Sequence, residues 1–311
     1  MKIFDSQATR SALPFERLIP ALRDAFAAAC HVPQRHVHRI GQGSPHPMTT
    51  LIMPAWSDGG LLGIKTVNIA PRNSELGKPG LHSTYLLYDA CTGEPLALMD
   101  GDEITSRRTA AASALAASFL SRENASRILI VGAGRVASLL AEAYAAVRPI
   151  REVLVWNRHE DAAAYLAHDL NRRGFEASVA DNLAAAAQTV DIVSCATLAT
   201  QPIIRGEWLQ PGSHLDLIGS FTPEMREADD EAFQGAQIYV DTEEALIKSG
   251  ELLGPMSRGV FEARDITGTL EDLCRGGTTG RQSQQDRSVF KSVGTALEDL
   301  AAATLVYRHD Q

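Results

Sequence analysis

The sequence has no apolar run of the roughly 18 residues that a membrane-spanning helix requires, and its first residues lack the apolar stretch of a secretory signal. It is also poor in positive charge, since 29 Lys and Arg stand against 38 Asp and Glu, a formal net charge of −9. Nucleic acids and anionic membrane surfaces both favour proteins with net positive charge. We therefore expect a protein that binds neither nucleic acid nor membrane.

Cysteine is scarce as well, and the four cysteines are scattered along the chain: Cys30, Cys91, Cys195 and Cys274. This spacing predicts free thiols in a reducing compartment, which we take to be the cytoplasm. The histidines include one close pair, His36 and His38, without a cluster of carboxylates or cysteines beside it. We therefore expect no metal site.

A glycine-rich turn follows directly after the apolar residues 128–131. Gly132, Gly134 and Ala137 have the spacing G-x-G-x-x-A, and a helical pattern runs over 135–147. The first glycine permits a tight turn, the second lets a pyrophosphate approach the backbone, and the alanine lets the helix pack on the strand. The helix N-terminus, at Arg135 and Val136, offers N–H groups and a partial positive charge to phosphates. The pattern predicts a nicotinamide or flavin dinucleotide site, with an ordinary strand-to-helix turn as the alternative.

The first hundred residues have the pattern of a mostly antiparallel sheet with one amphipathic helix. The predicted strands cover 33–39, 49–56, 61–68, 82–88 and 95–99. A helical, alanine-rich stretch over 105–117 then leads into the dinucleotide-binding pattern.

Strands and helices alternate after the glycine-rich turn. Further strands are predicted at 153–156, 176–180, 191–196, 213–220 and 237–241, and a last helix at 288–307. This alternation is typical of a parallel, doubly wound sheet, so the fold class is α/β with a Rossmann domain.

The end of the second predicted strand of this domain bears on the choice of cofactor. An NAD site usually has an acid there for the ribose 2′-hydroxyl, but this chain has Asn157 and Arg158. Asn157 can bond the 2′-oxygen and Arg158 can pair with a 2′-phosphate, which favours NADPH over NADH. A solvated arginine at a strand end is the alternative. Thr197 follows the fourth strand, at the carboxyl edge where ligands bind.

Three cations outside the Rossmann pattern are candidates for holding a substrate carboxylate. Lys65 lies in an apolar strand, Arg108 in the first turn of the alanine-rich helix, and Arg35 in a basic strand. Taken singly, each of them is equally typical of a surface charge or a side chain whose charged end reaches water.

Several stretches of the chain resemble motifs of the ornithine cyclodeaminase/mu-crystallin family. They are 53–68, 86–101, 108–111 and 290–301. The resemblance implies a homodimer in which a split α+β domain, residues 1–117 plus 288–311, binds substrate and forms the dimer contact. The Rossmann domain, residues 118–287, would be inserted between these parts. The family's carboxylate-binding positions fall on Lys65, Arg108 and, less directly, Arg35, and Thr84 matches a position beside the substrate.

The resemblance defines the fold better than the reaction, because the family includes cyclodeaminases, an alanine dehydrogenase, ketimine reductases and mu-crystallin. In the cyclodeaminases the loop after the fifth Rossmann strand carries a catalytic Asp. Here that loop is 219–227, and Phe221 stands at the Asp position. Phenylalanine has no lone pair to accept a proton, whereas an imine can arrive already protonated. The loop is similar to those of bacterial Δ1-pyrroline-2-carboxylate reductases.

We therefore expect NADPH-dependent, or else NADH-dependent, reduction of Δ1-pyrroline-2-carboxylate and its six-membered homologue Δ1-piperideine-2-carboxylate to the L-amino acids proline and pipecolate. Arg108 would clamp the substrate carboxylate, Lys65 would add a second charge, and Phe221 would exclude water. Thr197 and Ser220 would lie with the cofactor. The alternatives, in order, are an open-chain imine reductase or amino-acid dehydrogenase, an ornithine cyclodeaminase, and a non-catalytic NADPH-binding protein.

Overall fold

The computed structural model describes residues 1–309. Residues 310 and 311, the end of the predicted 288–311 segment, lie outside the described residues. The chain divides into two compact units, the first comprising 1–108 and the chain from Thr295 onward, the second comprising 109–294.

The first unit is built on an antiparallel sheet with a parallel strand at one edge. The order is β1-β6-β5-β4-β3-β2, with only the β1–β6 pair parallel among the described strands of this sheet. Its strands are β1 (Lys2–Phe4), β2 (His36–Ile40), β3 (Met48–Trp56), β4 (Leu61–Ile69), β5 (Leu81–Asp89) and β6 (Pro95–Asp100). Its helices are α1 (Ser6–Ser11), α2 (Phe15–Ala27) and α10 (Ala296–His309), and α3 (Gly101–Leu120) begins here and continues into the second unit.

The two faces of this sheet differ in burial because side chains alternate along each strand. One face is buried, carries Met53, Lys65 and Tyr85 in cross-strand register, and packs against α10, which itself packs on α2. The opposite face is only half-buried, although its central row is apolar: Ile3, Leu98, Leu86, Ile64 and Pro54. The predicted antiparallel sheet is confirmed.

The second unit is a parallel sheet in the order β13-β12-β14-β11-β10-β7-β8-β9. Its strands are β7 (Arg127–Val131), β8 (Glu152–Trp156), β9 (Glu176–Val179), β10 (Ile192–Cys195), β11 (His214–Leu217), β12 (Gln237–Val240), β13 (Ile266–Thr269) and β14 (Ser288–Lys291). The helices are α4 (Ala137–Ala145), α5 (Glu160–Arg172), α6 (Leu183–Ala187), α7 (Ala245–Lys248), α8 (Gly250–Ser257) and α9 (Leu270–Arg275). The predicted doubly wound Rossmann sheet is confirmed.

One secondary-structure prediction was wrong. Residues 288–291 were expected to begin the last helix, but they form β14, which lies between β11 and β12. All four residues of β14 are buried, as is typical of a central parallel strand, and such a strand lacks the alternation that would distinguish it from a buried helix. The strand β13 and the helix α9 were also not anticipated.

Within residues 1–309, no helix is both long enough and apolar enough to cross a bilayer.

Candidate active site

Lys65 is buried at the middle of the first unit's sheet. It points to the covered face of β4, where only 2% of its surface is exposed. Its Nζ lies 2.7 Å from Oδ2 of Asp299, on α10, and 3.3 Å from Oγ1 of Thr105, on α3. A buried ammonium requires such partners, because an uncompensated charge in an apolar interior is strongly unfavourable.

Arg108 shares the same acidic partner. Its Nε donates to Oδ1 of Asp299 at 2.9 Å, and its Nη1 donates to Oε2 of Glu298 at 2.6 Å. Asp299 therefore forms an ion pair with Lys65 through one oxygen and accepts a hydrogen bond from Arg108 with the other. The two cations and two carboxylates form one buried cluster, which we call the Lys65–Arg108 cluster: Lys65, Arg108, Glu298 and Asp299.

Burial and pairing act in opposite directions on the charges of this cluster. Burial lowers the pKa of Lys65 to about 8, although Asp299 opposes the shift. Burial also disfavours the charged form of Arg108, but Asp299 and Glu298 outweigh it and raise its pKa. For Asp299, burial favours the neutral acid, but Lys65 and Arg108 lower the pKa below its ordinary value. At neutral pH Lys65 and Arg108 therefore carry positive charge in fixed positions.

The other residues predicted around the substrate carboxylate occupy different places in the first unit. Arg35 is half-buried and immediately precedes β2, and β3 lies between β2 and β4. Thr84 is exposed and lies on β5 beside Tyr85. Because Tyr85 is the cross-strand partner of Lys65, Thr84 points to the opposite face of the sheet. The structure thus brings Lys65 and Arg108 together, and their role, like those of Arg35 and Thr84, stays a prediction.

The glycine-rich turn of the second unit combines a tight bend with an open stretch of backbone. Gly132 follows β7 with φ of 118°, and a Cβ there would lie 2.5 Å from the carbonyl oxygen of Ala196. A Cβ at Gly134 would meet open space, so the backbone there is accessible to a phosphate. Val136 and Ala137 then begin α4, and Ala137 is buried against the sheet. The N-terminus of α4 is therefore directed at the turn.

A groove of about 290 Å³ runs along this edge of the sheet. Its lining includes Gly132, Gly134, Asn157, Arg158 and Thr197. Asn157 Nδ2 donates to the carbonyl oxygen of His159 at 3.0 Å. Arg158 is exposed. An open glycine turn and an exposed arginine in one groove are compatible with a dinucleotide.

The predicted residues near the nicotinamide end differ in exposure. Phe221 is 48% exposed, directly after the buried Ser220. The hydroxyl of Ser220 donates to the carbonyl oxygen of Met225 at 2.6 Å, and the carbonyl oxygen of Ser220 accepts from the Ser249 hydroxyl at 2.7 Å. Thr197 donates both its N–H and its hydroxyl to Glu227. The contacts of Thr197 and Ser220 with a cofactor, and the role of Phe221 in excluding water, stay predictions.

Sequence reasoning missed the acids that hold these sites. Glu298 and Asp299 both pair with Arg108, which lies 190 and 191 residues earlier in the chain, and Glu227 bonds Thr197 thirty residues away. A signal was present for the first pair, because two acids stand between Leu297 and Leu300 on a helix with little polar surface. Acids at such positions are rarely buried unless they are paired.

Comparison with known proteins agrees with this architecture. Residues 7–310 match the ornithine cyclodeaminase/mu-crystallin family. The Δ1-pyrroline-2-carboxylate reductase of Paracoccus denitrificans is 40% identical over 300 residues, which cover 95% of this chain and 93% of the reductase. This chain belongs to the ornithine cyclodeaminase/mu-crystallin family.

Two enzymes of known structure superpose on almost the whole chain. The Δ1-pyrroline-2-carboxylate reductase of Thermococcus litoralis, in complex with NADH and L-proline, gives a TM-score of 0.92 at 31% identity and covers 99% of this chain and 97% of its own. An archaeal alanine dehydrogenase dimer with bound NAD gives a TM-score of 0.91 at 30% identity, and the match covers 99% of this chain and 95% of the dehydrogenase chain.

Proposed function

We propose that this protein uses a reduced nicotinamide dinucleotide to convert Δ1-pyrroline-2-carboxylate, and its six-membered homologue, into the L-amino acid. One observation carries the choice among the family's reactions: Phe221 occupies the loop position where cyclodeaminases have a proton-accepting Asp. Similarity to Δ1-pyrroline-2-carboxylate reductases over nearly the whole chain supports the same choice.

The Lys65–Arg108 cluster would bind the substrate carboxylate. A guanidinium has five N–H donors, and Asp299 and Glu298 take two of those on Arg108. The remaining donors can form charge-assisted bonds to a carboxylate, while the two acids prevent the guanidinium from rotating. Lys65 supplies a second positive charge, held by Asp299. The cluster therefore orients the α-carbon that is to be reduced.

The reduced dinucleotide, when bound, supplies the hydride that saturates the C=N carbon. The imine nitrogen needs one proton, and a cyclic imine can carry it from solution before binding. The apolar, exposed ring of Phe221 can therefore limit water at the site without taking part in proton transfer.

We propose NADPH as the preferred cofactor. Arg158 is exposed in the dinucleotide groove at the end of β8, where a 2′-phosphate would lie, and the sequence offers no acid at 157 or 158 to bind a 2′-hydroxyl. NADH is the alternative, because the Thermococcus litoralis reductase was solved with NADH.

We propose that two copies of the chain form a dimer through the open face of the first unit's sheet. The central row of that face is apolar, and Ile3 at its edge is 73% exposed. An apolar sheet face of this kind is stabilised when a second copy covers it. Light scattering should give the dimer mass, and Ile64→Lys, within this apolar row, should give the monomer. We also place the protein in the cytoplasm, in keeping with its four free thiols.

The test is oxidation of NADPH and NADH with a panel of substrates: Δ1-pyrroline-2-carboxylate, Δ1-piperideine-2-carboxylate, and pyruvate or oxaloacetate with ammonia. Faster turnover of the cyclic imines supports the proposal. Turnover of the 2-oxo acids with ammonia, but of neither cyclic imine, would instead indicate an open-chain imine reductase. This is the second candidate because the chain resembles an alanine dehydrogenase. No turnover with any substrate would favour a non-catalytic dinucleotide-binding protein.

A further inference from the structure

Glu227 connects two loops at the carboxyl edge of the second unit's sheet. Its Oε1 accepts from the N–H of Thr197 at 2.7 Å and from the Thr197 hydroxyl at 2.8 Å. Its Oε2 accepts from the N–H of Gly219 at 2.7 Å. Thr197 follows β10 and Gly219 follows the neighbouring strand β11, so a single buried carboxylate holds both loops.

The contact between the two loops is close. A Cβ on Gly219 would lie 2.0 Å from the carbonyl oxygen of Thr197 and 2.5 Å from Oε1 of Glu227, so only glycine fits there. Thr197 in turn adjoins the glycine-rich turn, because its Cγ2 lies 3.4 Å from where a Cβ of Gly132 would stand. Glu227 is therefore linked through Thr197 to the dinucleotide groove.

A second buried acid fixes Glu227 itself. Oε2 of Glu251, on α8, accepts from the N–H of Glu227 at 2.7 Å, and Oε1 accepts from the N–H of Ala228 at 2.9 Å. Burial raises the pKa of the Glu227 carboxyl above its ordinary value, and the charge of Lys291, which is buried on β14, opposes this shift. Three donors on the carboxylate and a fixed backbone leave Glu227 little freedom to move.

We propose that Glu227 is a positioning residue for the nicotinamide end of the dinucleotide site, a role that rests on the proposed function. Ligands of parallel sheets bind beyond the carboxyl ends of the strands, and Glu227 sets the separation of the loops after β10 and β11 at that edge. It acts through Thr197 and Gly219 and does not itself need to touch the cofactor. A displacement of either loop would change how the nicotinamide is held without changing the Lys65–Arg108 cluster.

The test compares Glu227→Gln with Glu224→Gln, the same chemical change at an exposed position of the same loop. An amide in place of the carboxylate presents an NH₂ group either to Gly219 N–H or to Thr197 N–H, so one loop loses its acceptor. NADH affinity is measured by fluorescence titration without substrate, alongside kcat and the KM of the imino acid. We expect Glu227→Gln to raise the Kd for NADH by about 10-fold, from the loss of one buried hydrogen bond, and to lower kcat while the KM for the imino acid stays unchanged. Glu224→Gln should match the wild type.

A second variant covers the case in which Glu227→Gln does not fold. Glu251→Gln leaves either the N–H of Glu227 or the N–H of Ala228 without an acceptor, so it should loosen Glu227 and weaken NADH binding, whereas Glu224→Gln should not. NADH affinity equal to that of Glu224→Gln in either Glu227→Gln or Glu251→Gln would overturn the proposal. The failure of the proposed function is distinguishable, because a wild-type protein inactive on cyclic imines would still show the difference in NADH affinity.

Discussion

Replacing Arg108 by lysine separates the charge of this side chain from its shape. Arg108 makes two bonds with distinct nitrogens, Nε to Asp299 and Nη1 to Glu298. A lysine keeps one positive charge but cannot reach both carboxylates in the same plane and still present donors to a substrate. Arg108→Lys should therefore keep the fold and lose most of the orientation of the substrate carboxylate.

The expected magnitudes follow from the pairing. Loss of one hydrogen bond between charged groups should lower the free energy of unfolding by about 2 kcal/mol in Arg108→Lys. Arg108→Ala should cost more, about 3–5 kcal/mol, because Glu298 and Asp299 stay buried with Lys65 as the one cation left in the cluster. In both variants kcat/KM for the cyclic imine should fall by roughly 10²-fold, since orientation of the reacting carbon is lost.

Arg107→Lys is the matched control. Arg107 is the preceding residue of α3 and equally buried; its Nε donates to the carbonyl oxygen of Leu13 at 2.7 Å, and its guanidinium lies 4.4 Å from the centre of the Phe15 ring. The control should lose comparable stability in urea unfolding yet keep kcat/KM within about 3-fold of the wild type. The reasoning is refuted if Arg108→Lys retains wild-type kcat/KM, or if Arg107→Lys loses as much activity as Arg108→Lys.

Three further predictions concern charge, cofactor choice and the proton. Because the pKa of Lys65 is lowered to about 8, its positive charge disappears as the pH rises through that value, and the KM of the imino acid should rise above pH 8. In steady-state kinetics Lys65→Arg should lack this rise. If the rise persists in that variant, Lys65 is not the group that causes it. Arg158→Ala should raise the KM for NADPH and leave NADH kinetics nearly unchanged, so an unaltered NADPH/NADH preference would remove Arg158 from the role. Phe221→Asp should not improve imine reduction and should admit slow ornithine oxidation, measured as reduction of NADP⁺ or NAD⁺; faster imine reduction would contradict the proton argument.

The parts of the fold that depend on local pattern could be predicted from the sequence. The apolar run around Lys65 predicted a strand, and the order of residues around Gly132 and Gly134 predicted a turn between a strand and a helix, as the structure has them. The role of this turn in binding a dinucleotide stays a prediction. The strand Ser288–Lys291 was not predicted, because a strand buried on both faces has no alternation and an apolar helix follows it closely.

The partners of the candidate residues could not be predicted in the same way. Whether Lys65 points to the covered or the open face depends on the register of β4, and its pairing with Asp299 depends on a helix that the chain forms more than two hundred residues later. The same holds for Glu227, whose bonds to Thr197 and Gly219 exist only once β10 and β11 lie side by side. Residue type indicated these candidates, but the long-range pairing required the structure.

Transfer of a label tests the central claim most directly. The protein is incubated with Δ1-pyrroline-2-carboxylate and a reduced nicotinamide dinucleotide that carries deuterium at C4, in each of the two stereospecifically labelled forms, and the product is analysed by mass spectrometry and chiral chromatography. The account predicts L-proline that carries deuterium at its α-carbon from one of the two forms, with one proline formed for each dinucleotide oxidised. Proline without the label, D-proline, or the absence of proline while pyruvate and ammonia yield labelled alanine would contradict it.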